Sequence, residues 1–135
     1  SFYKSAPEAL CRLRDRGHVR IVSTKQERFI LALLRRAGID FPPQDVFGLD
    51  RGLAKETILA GFLTDPETGA PRTVHFVEDR LQTLKRVDAR PELRPVRLHL
   101  AEWGYSLESE RREAREHPRI KLLKEGCLGD LAATR

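Results

Sequence analysis

Methionine is missing from these 135 residues, and cysteine occurs only twice. Cys11 and Cys127 lie far apart and form no ligand-spaced pair, so each reads as a reduced, partly buried thiol in a non-oxidising compartment. No apolar run approaches the roughly 20 residues that a membrane-spanning helix takes, which argues against a membrane partner. The opening stretch "SFYKSAPEAL" lacks the apolar core of a secretory signal, so secretion is not expected. Aromatic residues make up 7% and are not interleaved with basic ones. A stacking platform for nucleic acid needs that interleaving, which disfavours a plain nucleic-acid-binding domain. Repeats and low-complexity tracts are absent as well. Loss of an initiator methionine, processing, or a start partway into a larger protein would each account for a methionine-free chain that opens on Ser1.

What is present is the composition of a soluble globular domain, 40% apolar and 33% charged, long enough to bury a real core. A single domain over 1–135 is expected, with a weakly specified tail at 126–135. The net charge of +5 and a pI near 9.6 permit contact with nucleic acid or phosphate ligands without demonstrating it. Basic clusters such as Arg35-Arg36 and Arg111-Arg112 are interleaved with acids, the pattern of a solvated face.

Hydrophobic spacing and turn residues give the element order. "SFYKSAPEALCRLRDRG" reads as a helix with a Ser5–Glu8 capping box, Pro7 in its first turn, Leu10 and Leu13 inward, and Gly17 at its end. "HVRIVST", His18 to Thr24, reads as a strand. "KQERFILALLRRAGI" puts Phe29, Ile30, Leu33 and Leu34 at helical spacing and stops at Gly38. A turn at Pro42-Pro43 leads to a short strand over Val46–Leu49, "LAKETILAGFL" reads as a helix, and "TDPETGAPR" as a loop. A strand over Val74–Val77, a helix from about Arg80 to Val87, and a loop bounded by Pro91 and Pro95 follow. The strand "VRLHLAEWGY", a charged surface helix at about 106–117 stopped by Pro118, and an edge strand in "RIKLL" complete the order. Strands alternating with helices predict βαβ units, and so an α/β, three-layer, Rossmann-like fold around a parallel sheet.

In such sheets ligands bind past the carboxyl ends of the strands. Ser23-Thr24, Lys55 and Glu78-Asp79 each fall at or just after an expected strand end. A hydroxyl there can donate to a phosphate oxygen, although Thr24 with Glu27 also fits a capping box. Lys55 can act as a point charge on phosphate or stand as an ordinary surface lysine. Glu78 and Asp79, adjacent acids, suit a hard cation such as Mg²⁺, and equally suit the positive end of a helix. His75 and His99 lie in strands and read as satisfied core residues rather than metal ligands. Trp103 reads as half-buried packing or as a docking aromatic.

Hydroxyl, lysine and acidic pair, each tied to a successive strand, resemble the second, third and fourth motifs of the haloacid-dehalogenase-like (HAD) phosphohydrolases. The stretches are "RIVSTK", Lys55 and "VHFVED". "VSTKQERFILALLRRAGI", "HFVEDRLQTLK" and "WGYSLESER" are similar to a plant- and algal-type branch, and the likeness runs from Pro7 to about Leu123. The resemblance implies a Mg²⁺-dependent phosphatase acting on a phosphorylated small molecule. Ser23 and Thr24 would hold the phosphoryl group, Lys55 would steady phosphate and nucleophile, and Asp79 with Glu78 would anchor Mg²⁺. Thr83 stands where many members carry a further acid. Such a branch occurs in photosynthetic eukaryotes, so cytoplasm and plastid (chloroplast) are both implied as locations.

The family's nucleophile is an aspartate in a DxD motif on the first strand, where the first acid attacks phosphorus and the second is general acid and base. No DxD occurs in these residues. In HAD folds that strand lies mid-sheet, between the strands matched here by His18–Ser23 and Val74–Val77. The resemblance therefore implies a core lacking its nucleophile strand and cap. Its neighbours' open backbone groups would cost about 1–3 kcal/mol each if buried unsatisfied. The chain is thus not expected to be complete as a free enzyme; an upstream segment, another polypeptide or an unrelated partner would supply the strand. The competing expectation is a HAD-derived, catalytically inactive docking subunit of a larger assembly, with RNA among the components that the basic charge would suit.

Overall fold

Alternating apolar strands and amphipathic helices resolve into a mixed α/β chain with two small parallel sheets. The structure is a computed structural model that describes residues 18–104, 106–124, 126, 127, 130 and 131. The expected Ser5–Glu8 helix and Cys11 lie outside the described residues. Contacts divide the chain into two compact units, one reaching Ile58 and the other running from Leu59 to Cys127.

In the first unit, β1 (Ile21–Val22) pairs in parallel with β2 (Val46–Phe47), Ile21 opposite Val46 and Val22 opposite Phe47. The crossover is helix α1 (Glu27–Arg36). Its inward residues Ile30 and Leu34 pack with Ile39, Phe41 and Val46. The helix ends as the glycine signal predicts: Gly38 takes φ +80°. The Gly38 N–H then reaches the Arg35 carbonyl at 3.0 Å, and the Ile39 N–H reaches the Leu34 carbonyl at 2.9 Å. Both strands are shorter than expected. After Val22 the chain turns away at Ser23, whose N–H still reaches the Phe47 carbonyl at 2.9 Å. After Phe47, Gly48 and a 3₁₀ turn (Leu49–Arg51) divert the chain, so Leu49 is exposed rather than in the strand.

Helix α2 (Lys55–Phe62) opens in the first unit, and from Leu59 it belongs to the second. There β3 (His75–Glu78), β4 (Arg97–Ala101) and β5 (Ile120–Leu123) form one parallel sheet in that order. Helix α3 (Leu81–Asp88) connects the first pair of strands and α4 (Glu108–Glu116) the second. Phe76, Leu98, Leu100 and Ile120 pack with Leu81, Leu84 and Val87 of α3 and Ala114 of α4. Burying side chains of this size contributes about 1.5–3 kcal/mol each relative to exposure. The strand period sends His75, Arg97, His99 and Lys121 to the other face. His75 Nδ1 and His99 Nε2 are 3.0 Å apart, so the two half-buried rings share a hydrogen bond.

Side chains tie the helix ends to the sheet. Asp88, at the end of α3, meets the Arg119 guanidinium with one oxygen and His117 Nε2 with the other at 3.3 Å. The Arg119 guanidinium also donates to the Val96 carbonyl at 2.8 Å, while His117 Nδ1 accepts the Arg119 and Ile120 N–H groups at 3.0 and 3.1 Å. β1 and β3 belong to different sheets; among the described residues each has a single strand partner. Cys127, expected partly buried, is exposed, because the chain beyond β5 makes a surface turn held by its N–H to the Lys124 carbonyl at 2.9 Å. Among the described residues no helix is long and apolar enough to cross a membrane.

Candidate functional site

Just past the carboxyl end of β1, the half-buried Ser23 turns the chain, and its Oγ accepts the Lys25 N–H at 3.1 Å. Accepting that backbone N–H uses one lone pair of the hydroxyl and leaves its O–H able to donate. Thr24 beside it is exposed. The capping box expected between Thr24 and Glu27 does not form. Helix α1 starts at Glu27 with Gln26 as its N-cap and no side-chain cap from that residue.

The cap comes from the neighbouring strand's loop instead. The Glu27 N–H donates to Asp50 Oδ1 at 2.8 Å. In return, Glu27 Oε2 accepts the Gly48 N–H at 3.0 Å and Arg51 Nε–H at 2.7 Å. The Gly48 amide, then the Arg51 guanidinium, hold the Glu27 carboxyl below its usual range. The Leu49 N–H closes the latch on the Lys25 carbonyl at 2.9 Å. These ties bind the loop after β2 to the turn after β1, where Ser23 sits. Sequence spacing does not reveal them, since the Glu27–Asp50 bond spans 23 residues. Lys55 is half-buried and opens α2.

In the second unit Glu78 is the last residue of β3, and Asp79 follows it directly. Strand alternation puts Glu78 on the side of Phe76, where it is buried to 9% exposure, while Asp79 is half-buried. The adjacent carboxylates therefore leave the backbone in different directions. Asp79 lies against the turn after β4: a Cβ added at Gly104 would stand 2.2 Å from Asp79 Cβ and 3.2 Å from its Oδ2. That turn is held by the Glu102 N–H on the Leu123 carbonyl at 2.8 Å, and Trp103 is half-buried within it. Thr83 is buried on α3, where it adds no charge.

Among the described residues no group of three or more His, Cys, Asp or Glu side chains is gathered to hold a metal ion. Glu78 turns to the Phe76 side and Asp79 to the turn at Gly104, so Asp79 is the carboxylate that would hold Mg²⁺, which commonly takes one or two protein carboxylates and completes its octahedron with water and phosphate oxygens. The structure thus brings Ser23 together with the Gly48–Arg51 loop, and Asp79 together with the turn at Gly104, each past the carboxyl end of a parallel strand. Compared with family models, curated proteins and solved structures, the chain matches none.

Proposed function

We propose that this chain is part of a HAD-like, Mg²⁺-dependent phosphomonoester hydrolase with a Rossmann-like core, whose nucleophilic aspartate lies outside these residues. In that reading an aspartate carboxylate attacks phosphorus, the ester P–O bond breaks, and the alcohol leaves with a proton from the second acid of the motif. Water then cleaves the aspartyl-phosphate and frees inorganic phosphate. The Ser23 hydroxyl donates to a phosphoryl oxygen, with Thr24 beside it. The Lys55 ammonium balances phosphate and nucleophile charge, and Asp79, helped by Glu78, holds the cation. Bound there, Mg²⁺ would neutralise charge on the phosphoryl oxygens.

The observation that carries this reading is positional. Ser23 follows β1, and Glu78 ends β3 with Asp79 directly after it; each of these strands has a single strand partner among the described residues. A nucleophile strand would need open strand sides of that kind. Adding a DxD-bearing segment in trans and measuring phosphate release from small phosphomonoesters with Mg²⁺ tests it. Turnover that falls at least tenfold in Ser23→Ala and Asp79→Asn is expected; no release above background across a substrate panel would sink the reading.

The absence of DxD from the sequence favours one other reading, a HAD-derived docking subunit without catalysis. Recovery of the chain only in a large, RNA-containing particle, with no DxD-bearing partner, would decide for it.

A further inference from the structure

The described glycines fall into three groups. Gly38, Gly52 and Gly69 take positive φ and have open space where a methyl would stand, so their backbone conformation accounts for them. Gly61 and Gly126 have open space and ordinary φ. Gly48 and Gly104 differ from both: their φ is not positive, yet a Cβ at either would collide. At Gly48 it would meet the Lys25 carbonyl oxygen at 2.6 Å, Glu27 Cγ at 2.7 Å and the Glu27 nitrogen at 2.9 Å. At Gly104 it would meet Asp79 Cβ at 2.2 Å.

These two positions correspond. Gly48 follows β2 directly, and Gly104 lies three residues past the end of β4. Each is on the loop leaving the strand paired with β1 or β3, and each presses bare backbone onto the turn that leaves that partner. One such turn carries Ser23 and the other carries Asp79. The absence of a side chain is what permits an approach this close.

We propose that Gly48 and Gly104 are positioning residues for the two candidate clusters, Gly48 for the oxyanion-binding turn at Ser23 and Gly104 for the cation-binding Asp79; this rests on the phosphohydrolase reading. Ordinary contact begins at 3.4 Å, so a methyl at residue 104 would have to move away from Asp79 Cβ by 3.4 − 2.2 = 1.2 Å. A misplacement near 1 Å costs on the order of 100-fold where geometry decides function. At Gly48 the nearest atom is backbone oxygen, so no side-chain rotation relieves the contact.

The test uses the full chain and two probes, Mn²⁺ alone and inorganic phosphate alone, each followed by amide NMR. Wild type should show paramagnetic broadening at Asp79 with Mn²⁺ and shift changes at Ser23 with phosphate. Gly104→Ala should weaken the Mn²⁺ response at least about tenfold and keep the phosphate response, and Gly48→Ala should do the reverse. Gly61→Ala should change neither. A purely structural role would lower melting temperature without this selectivity. Should Gly104→Ala fail to fold, the double variant Asp79→Gly/Gly104→Ala decides: restored folding supports the Cβ contact, continued unfolding refutes it. Wild type silent to both probes overturns the phosphohydrolase reading itself. Wild-type responses that survive unchanged in both glycine variants overturn only the positioning role.

Discussion

Acidification should destabilise the second unit through one histidine. His99 sits half-buried on β4, hydrogen-bonded to His75 at 3.0 Å, with Arg97 on its own strand and Lys121 opposite it on β5. Burial first, then the His75 ring and Arg97, push its pKa down from 6.5 to about 4. A depressed histidine pKa means the unfolded chain takes up the proton first. Stability is therefore complete above pH 6.5 and drains as pH falls toward 4. At about pH 5 the two proton-binding curves differ by about 2 kcal/mol; solvent around the half-exposed ring reduces this to about 1 kcal/mol. Urea unfolding followed by the fluorescence of Trp103, the sole tryptophan, should show that loss between about pH 7.5 and 5. His99→Gln, which keeps a donor and an acceptor without a titratable ring, should remove most of the slope. Glu27, Asp65 and Glu108 do not mimic the effect. Backbone amides hold the first two below their ordinary values of 4.5 and 3.8, and Arg111 holds Glu108 below 4.5, so their contributions fade only at lower pH. An unchanged slope in His99→Gln, or an NMR titration of His99 near 6.5, refutes the reasoning.

Two further outcomes follow from single contacts. Asp88→Ala strips both the Arg119 guanidinium and His117 of their carboxylate partner, and should cost about 1–3 kcal/mol in urea unfolding. A change within experimental error would show that the junction of α3, α4 and β5 does not depend on it. Gly38→Ala forces an alanine to φ +80° at the end of α1 and should cost about 1 kcal/mol, whereas Gly61→Ala, inside α2, should stabilise by a similar amount. Equal melting shifts in the two variants would contradict the helix-end assignment.

Local rules were readable without coordinates. The spacing of Ile30 and Leu34 and the stop at Gly38 are confined to one helix turn or two, and α1 follows them. The alternation of apolar strands with amphipathic segments likewise predicts parallel βαβ units, and every described strand pair is parallel. Tertiary structure alone decided what depends on residues distant in sequence. Asp50 caps α1 across 23 residues, in place of the nearby Thr24. Gly104 meets Asp79 through a turn after a different strand. Pairing, too, was settled in space: β1 and β3 look alike as apolar runs, but they entered separate sheets. Helical periodicity and glycine stops act within a few residues, so composition and spacing record them. Strand partnership, latches and close backbone approaches are made between segments, and no single segment carries their record.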